Sequence, residues 1–332
     1  MSTSTSEELT VFTGPTTFLS APNVQLEEVK ARTVAISGAP HESSMVHHWL
    51  GTRQGPKGIR EASLPLASKL KNASEGLIDV ATGKRIFLPS ENRLVDVGDL
   101  NVYPPDVMKT TEGISGGVYE VVKRGAFSLV MGGDHYIGYP SCLGFTRAIA
   151  ERNPHVKIGY IHIDTHTDFF EEIPLFGKYN HGTNARRISE LEVTVPRNMV
   201  WIGLSYWDPA ESWRTIKKNG ATVFSYKDIH TMGPVEVGRR AGELAIRGCD
   251  YIYISLDIDV IDTGFAPGTG APIIGAVAPS MIFQILDELA KFPIGSMDVV
   301  EVAPAIDPSG RTQRIAVEAV LRIIGPKIFD YE

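Results

Sequence analysis

The chain has 332 residues, of which 43% are hydrophobic and 21% charged, and carries a formal net charge of −7; that describes a soluble globular protein and excludes a disordered or membrane chain. The modest negative charge argues against general attraction to nucleic acid or anionic lipid, and suits a small cationic ligand better. The two cysteines, Cys142 and Cys249, fall in no CxxC spacing, MSTSTSEELT lacks the basic start and apolar stretch of a signal peptide, and no 18-residue apolar run follows, so neither a disulfide framework nor a membrane span is expected and the setting reads as cytoplasmic.

Residues 1–25 are rich in Ser, Thr and Pro and read as a flexible or surface-draped arm. Residues 26–332 read as a single domain, because no repeat and no linker divides them. Short β-branched runs predict strands at 33–40, 128–133, 156–163, 199–205, 221–226, 250–259 and 296–304. Helical spacing occupies stretches between and after them: GGVYEVVKRG, GFTRAIAERN, PVEVGRRAGELAIRG, PSMIFQILDELAKF and TQRIAVEAVLRIIG. Alternating strands and helices predict an α/β fold, three-layer α/β/α, with a mainly parallel central sheet. The segment from Gly38 to Arg60 breaks this rhythm. It carries His41, His47 and His48 among several Gly and Pro, and reads as a long functional loop, either lining an entrance, assisting metal loading or simply lying on the surface.

Ligands of open parallel sheets bind beyond the carboxyl ends of the strands, and four predicted strands end there in acids or histidines. SLVMGG runs into Asp134 and His135, GYIHI into Asp164, His166 and Asp168, YIYISL into Asp257 and Asp259, and SMDVV into Glu301. Gathering these acids in an interior costs several kcal/mol per ion, on the order of the penalties for buried charge, unless cations hold them. In extended backbone, residues i, i+2 and i+4 share a face, so Asp164, His166 and Asp168 converge, as do Asp257 and Asp259. With His135 they make two imidazoles and four carboxylates, a set whose charge matches two divalent ions. Mn, Ni, Co, Fe and Zn all suit such donors. A lone DxH or DxD is more often a solvated turn or a capping acid, and two residues here illustrate that alternative: His162 is expected to point away into helix packing, and Asp262 to cap a turn before Gly264.

GGDHYIGYP (132–140), DTHTD (164–168), NHGT (180–183), SLDIDVIDTGFAPGTG (255–270) and DVVEVAP (298–304) together resemble the ordered signature of the ureohydrolase superfamily of arginases, agmatinases and guanidino-acid hydrolases. The resemblance runs from about residue 33 to 327, and the FAPGTG form is closer to the agmatinase-like branch. It implies that His135 and Asp168 hold one metal, His166 and Asp259 the other, and that Asp164 and Asp257 bridge them. It implies Mn²⁺ or Ni²⁺ as the two ions, His181 as the acid/base or proton-relay residue, Glu301 as acceptor for the substrate's guanidinium, and assembly into a homo-trimer or homo-hexamer. The implied reaction is hydrolysis of a guanidino C–N bond, releasing urea or a urea derivative and an amine or ammonia.

Several positions depart from that pattern. Tyr136 follows His135 where Ser is usual, Phe169 and Phe170 follow DxHxD, Ala303 replaces Asn, and Asn184 and Ala185 replace Pro-Phe after NHGT. Tyr136 and Phe169 are therefore expected to line the substrate pocket beside His181 and Glu301, shrinking it toward guanidine, an alkylated guanidine or a biguanide. Agmatinase and guanidino-acid hydrolase activity are the alternatives, as is a subunit of a hetero-oligomeric ureohydrolase. A single-zinc deacylase or a formimino-group hydrolase on a related scaffold is the more distant one.

Overall fold

A computed structural model describes residues 15–42, 50–80, 83–88 and 91–332. Eight strands form one parallel sheet: β1 (Val34–Ala39), β4 (Leu94–Asp99), β5 (Phe127–Gly132), β6 (Ile158–Ile163), β7 (Thr194–Leu204), β8 (Thr222–Ser225), β9 (Tyr251–Asp257) and β10 (Ile294–Val300), in the order β4-β1-β5-β10-β9-β6-β7-β8. β2 (Leu77–Asp79), β3 (Lys84–Phe87) and β11 (Asp330–Tyr331) make a small antiparallel sheet. β1 and β6 are buried along their whole length, as strands covered on both faces must be. The period-two alternation sorts their side chains into two apolar layers. Ile161 and Ile163 of β6 belong to the larger, whereas Ile158 and Tyr160 belong to the smaller with Trp201 and Tyr253.

The larger layer is covered by α1 (Gly55–Asn72), α7 (Pro234–Ile246), α8 (Pro279–Leu289) and α9 (Arg311–Ile328), through Ile59, Val237, Ile285 and Val320. The smaller is covered by α2 (Val107–Lys123), α3 (Gly138–Arg152), α4 (Asn184–Ser189) and α5 (Ala210–Lys218), through Ile114, Phe145, Ile188 and Ile216. This is the three-layer α/β/α architecture that the alternating pattern predicts. α6 (Tyr226–Met232) follows the edge strand β8. Among the described residues no helix is long and apolar enough to cross a membrane.

Two expectations change. Residues 15–25, read as part of the arm, are tied down: Phe18 is fully buried, its N–H donates to Asp96 Oδ2 at 2.9 Å, and Asp96 N–H donates to the Pro22 carbonyl at 2.9 Å. The Gly38–Arg60 segment is not all loop, because α1 begins at Gly55 with Pro56 in its first turn, where a missing N–H costs nothing. His41 is buried with its ring 5.5 Å from that of Tyr136, so it faces neither the entrance nor solvent; His47 and His48 lie outside the described residues.

One buried ion cluster joins these parts. The Arg60 guanidinium donates to both oxygens of Asp96 at 2.9 and 3.0 Å and to Asp99 at 2.6 Å. Asp96 is wholly buried, so replacing Arg60 with methionine leaves an uncompensated carboxylate under the arm and α1. We expect a loss of about 3–5 kcal/mol in urea unfolding; a loss under about 1 kcal/mol, within the range of an exposed pair, would show that Asp96 finds another partner.

Candidate metal centre

The four central strands, β5, β10, β9 and β6, are neighbours in the sheet, and each hands polar residues to the same carboxyl edge. β5 leads through Gly133 to His135, β6 to Asp164, His166 and Asp168, β9 to Asp257 and Asp259, and β10 to Glu301. His135 Nδ1 lies 3.0 Å from Asp164 Oδ2, 2.9 Å from Asp168 Oδ2 and 3.0 Å from Asp257 Oδ2. His166 Nδ1 lies 3.3 Å from Asp164 Oδ1 and 3.1 Å from Asp259 Oδ2. Asp164 therefore offers one oxygen to each imidazole. The structure brings all six expected ligand residues together.

Hydrogen bonds outside this ring fix its members. His135 Nε2 is 2.9 Å from Ser255 Oγ, whose own proton goes to Asp298 Oδ1 at 2.7 Å; the hydroxyl oxygen thus accepts from Nε2–H and leaves the Nδ1 lone pair aimed at the acids. Asp257 Oδ1 accepts from the Asp259 N–H at 2.8 Å, and Asp259 Oδ1 from the Thr165 hydroxyl at 2.9 Å. Asp168 and Glu301 hold their positions with φ of 47° and 62°.

The donors suit metal ions. His135 Nδ1 and Asp164 Oδ2 are buried, lie within 3.0 Å of one another, yet have no hydrogen-bond partner, which is how ligand atoms look when they converge on a common point and not on each other. Two groups of side chains can each hold an ion, one containing His135, His162, Asp164 and Asp168, the other Asp164, His166 and Asp259. Burial pushes Asp257 well above the usual carboxylate range, helped by Asp259 and Asp164. Burial also opposes charge on Asp164, but His162, His135 and His166 outweigh it and hold its pKa well down. Burial likewise opposes charge on His135 and His166, and the acids overcome it and raise both. The cluster attracts positive charge.

His162 corrects an expectation. It does not turn away into helix packing: residues 160, 162 and 164 share one face of β6, so its Nε2 reaches within 3.0 Å of Asp164 Oδ2 and its ring stacks on His135 at 4.8 Å. Asp262 does cap its turn, accepting from the Gly264 N–H at 2.7 Å.

A cavity of about 250 Å³ opens over the acids and is lined by His135, His166, Asp168, Asp257, Asp259 and Glu301, with His181 on its wall. Glu301 Oε1 accepts from the His135 N–H at 2.7 Å; burial, and then Asp134, pushes its pKa well up. Burial lowers the pKa of His181 against the pull of Asp134 and Asp168.

The two aromatics expected in the pocket are elsewhere. Tyr136 is fully buried with its hydroxyl paired to Thr111, and Phe169 is buried edge-on to Trp201, ring centroids 5.5 Å apart. Neither lines the cavity. Phe170, the second aromatic after DxHxD, does line it, with Ile173, Tyr206, Trp207, Asp208 and Ala271. Tyr206 stands edge-on to His166 at 5.2 Å, and Asp208 accepts from the Thr167 N–H at 3.1 Å. Sequence reasoning missed Tyr206, Trp207 and Asp208, although they follow the carboxyl end of β7, the neighbour of β6, where such residues are to be sought.

A parallel sheet carrying an acid-and-imidazole cluster beneath an open cavity defines a hydrolase of the metal-binding kind. The chain belongs to the Arginase family, whose model matches residues 32–325, and is a hydrolase acting on guanidino or amidine C–N bonds. Guanidinopropionase from Pseudomonas aeruginosa is 30% identical over 322 residues, covering 96% of this chain and 93% of that protein. The mitochondrial guanidino acid hydrolase of Homo sapiens is 31% identical over 280 residues, covering 82% of this chain and 72% of that protein. The solved proclavaminate amidino hydrolase from Streptomyces clavuligerus has a TM-score of 0.79 at 25% identity, over 95% of this chain and 97% of that one.

Proposed function

We propose that this protein hydrolyses a small or alkylated guanidine, or a biguanide, with two divalent ions, Mn²⁺ or Ni²⁺, releasing urea or a urea derivative and an amine or ammonia. The observation that carries the binuclear reading is Asp164, whose two oxygens face different imidazoles, Oδ2 at 3.0 Å from His135 and Oδ1 at 3.3 Å from His166. On this reading His135 and Asp168 hold one ion, His166 and Asp259 the other, and Asp164 and Asp257 lie between. The chemistry such ions supply is activation of a water molecule near neutral pH without a strong side-chain base.

The protein's own groups do the rest. Glu301 accepts N–H bonds from the planar guanidinium, fixing its carbon over the acids. His181 delivers a proton to the departing nitrogen; lowered by burial, its protonated imidazole is a stronger acid than an ordinary one. The small-substrate reading is supported by the cavity itself, where Phe170, Ile173, Tyr206 and Trp207 leave about 250 Å³ for ions and substrate together, and an apolar wall suits N-alkyl groups better than a charged tail. A cytoplasmic location belongs to this reading.

The test is elemental analysis of protein expressed with each metal, then urea release across a panel from guanidine through alkylguanidines and biguanides to agmatine and 4-guanidinobutyrate. We expect two ions per chain and the largest kcat/KM among the small members. Agmatine or 4-guanidinobutyrate leading the panel by an order of magnitude would sink the substrate assignment and leave the reaction class standing.

A further inference from the structure

We infer that Asn184 is a positioning residue that locks the Asp168 carboxylate to the turn bearing His181, an inference that rests on the binuclear reading above. Asn184 is wholly buried at the start of α4, three residues after His181. Its side-chain amide has two N–H donors, and both are used across the site. One goes to Asp168 Oδ2 at 2.8 Å, the other to the His181 carbonyl oxygen at 3.0 Å. Its own oxygen lies 3.5 Å from the Tyr160 hydroxyl, which is also 2.9 Å from His162 Nδ1. His162 in turn reaches Asp164, so a closed polar layer runs beneath the acids from Asp164 through His162, Tyr160 and Asn184 to Asp168.

The arrangement answers a need of the backbone. Asp168 holds φ at 47°, a left-handed conformation that is unfavourable for a non-glycine residue and persists only where surroundings enforce it. The segment between Asp168 and His181 is joined at its base by the Phe170 N–H to the Gly182 carbonyl and the Arg186 N–H to the Asp168 carbonyl, at 3.1 and 3.4 Å. Those bonds set the main chain, and from this side of the site Asn184 reaches past them to the carboxylate oxygen that also faces His135 Nδ1 at 2.9 Å. The amide is buried beside Gly138, where an added Cβ would press on Asn184 Oδ1 at 3.3 Å.

Asn184→Leu keeps the approximate shape and removes both donors. Calorimetric titration of Ni²⁺ or Mn²⁺ against a competing chelator, with thermal unfolding alongside, is the measurement. We expect one of two ion sites to weaken about 10- to 100-fold, as for loss of an outer-shell partner, with the other unchanged. On the best substrate of the panel, kcat should fall while KM stays near wild type, since Glu301 is untouched. Should leucine prevent folding in this polar layer, Asn184→Ala serves for the same titration. Two ions bound at wild-type affinity overturn the inference, as does equal weakening of both sites together with a lowered Tm, the mark of a merely structural role. A wild-type chain that binds fewer than two ions overturns the reading of the centre itself, and the inference with it.

Discussion

Protein carrying Asp164→Ala is expected to contain no stoichiometric metal at either position, and its urea release to fall by at least about three orders of magnitude, roughly 4 kcal/mol in the barrier. No other carboxylate in the cluster stands this close to both imidazoles, His135 at 3.0 Å and His166 at 3.3 Å. On the binuclear reading, neither ion would then keep a full set of donors. The same substitution strips His162 of the acid its Nε2 faces, so the layer beneath the centre loses its charge balance as well. Elemental analysis of the purified variant, with circular dichroism to confirm folding, decides the matter. Two ions at full occupancy would refute a bridging role for Asp164, whatever happened to the rate.

Glu301→Gln separates substrate capture from metal binding. Glutamine keeps an oxygen for the His135 N–H, which Glu301 accepts at 2.7 Å, so the variant should hold both ions. What it loses is the ability to ionise, which burial disfavours in the free protein and a bound cationic guanidinium favours, worth about 3–4 kcal/mol, or two to three orders of magnitude in kcat/KM. We expect most of that loss in KM, read from steady-state urea release on the best substrate. A variant with full metal content and less than a threefold loss in kcat/KM would remove Glu301 from the substrate site.

Much of this was legible because a strand has period two. Seven predicted strands stand in the sheet, and Asp164, His166 and Asp168 do meet Asp257 and Asp259, though not through extended backbone: β6 ends at Ile163, Asp168 is left-handed with φ 47°, and Asp259 sits in a 3-10 turn. His162 obeys the same rule, and assigning it to helix packing misapplied it. β4 escaped notice because LVDVGD carries two acids; Asp96 can be buried there only because Arg60, 36 residues earlier, neutralises it, and no local pattern reveals such a partner. α1 is disguised by Gly55, Pro56, Gly58 and Pro65. The pocket walls were the least legible. Tyr136 and Phe169 are bulky neighbours of the acids in sequence, but which way a side chain leaves a turn depends on packing against distant elements, here Thr111 and Trp201.

The strand order also bears on how the protein is made. β10, from Ile294, is the last strand of the large sheet to leave the ribosome, and it lodges between β5 and β9. Until it docks, the strands bearing His135 and Asp257 have no native spacing, however well the first 290 residues have folded. On the binuclear reading, the group that includes His135 therefore cannot form before β10 docks, whereas Asp164, His166 and Asp259 belong to the directly paired β6 and β9. Ions held by both groups would stabilise the finished sheet by mass action on the native state.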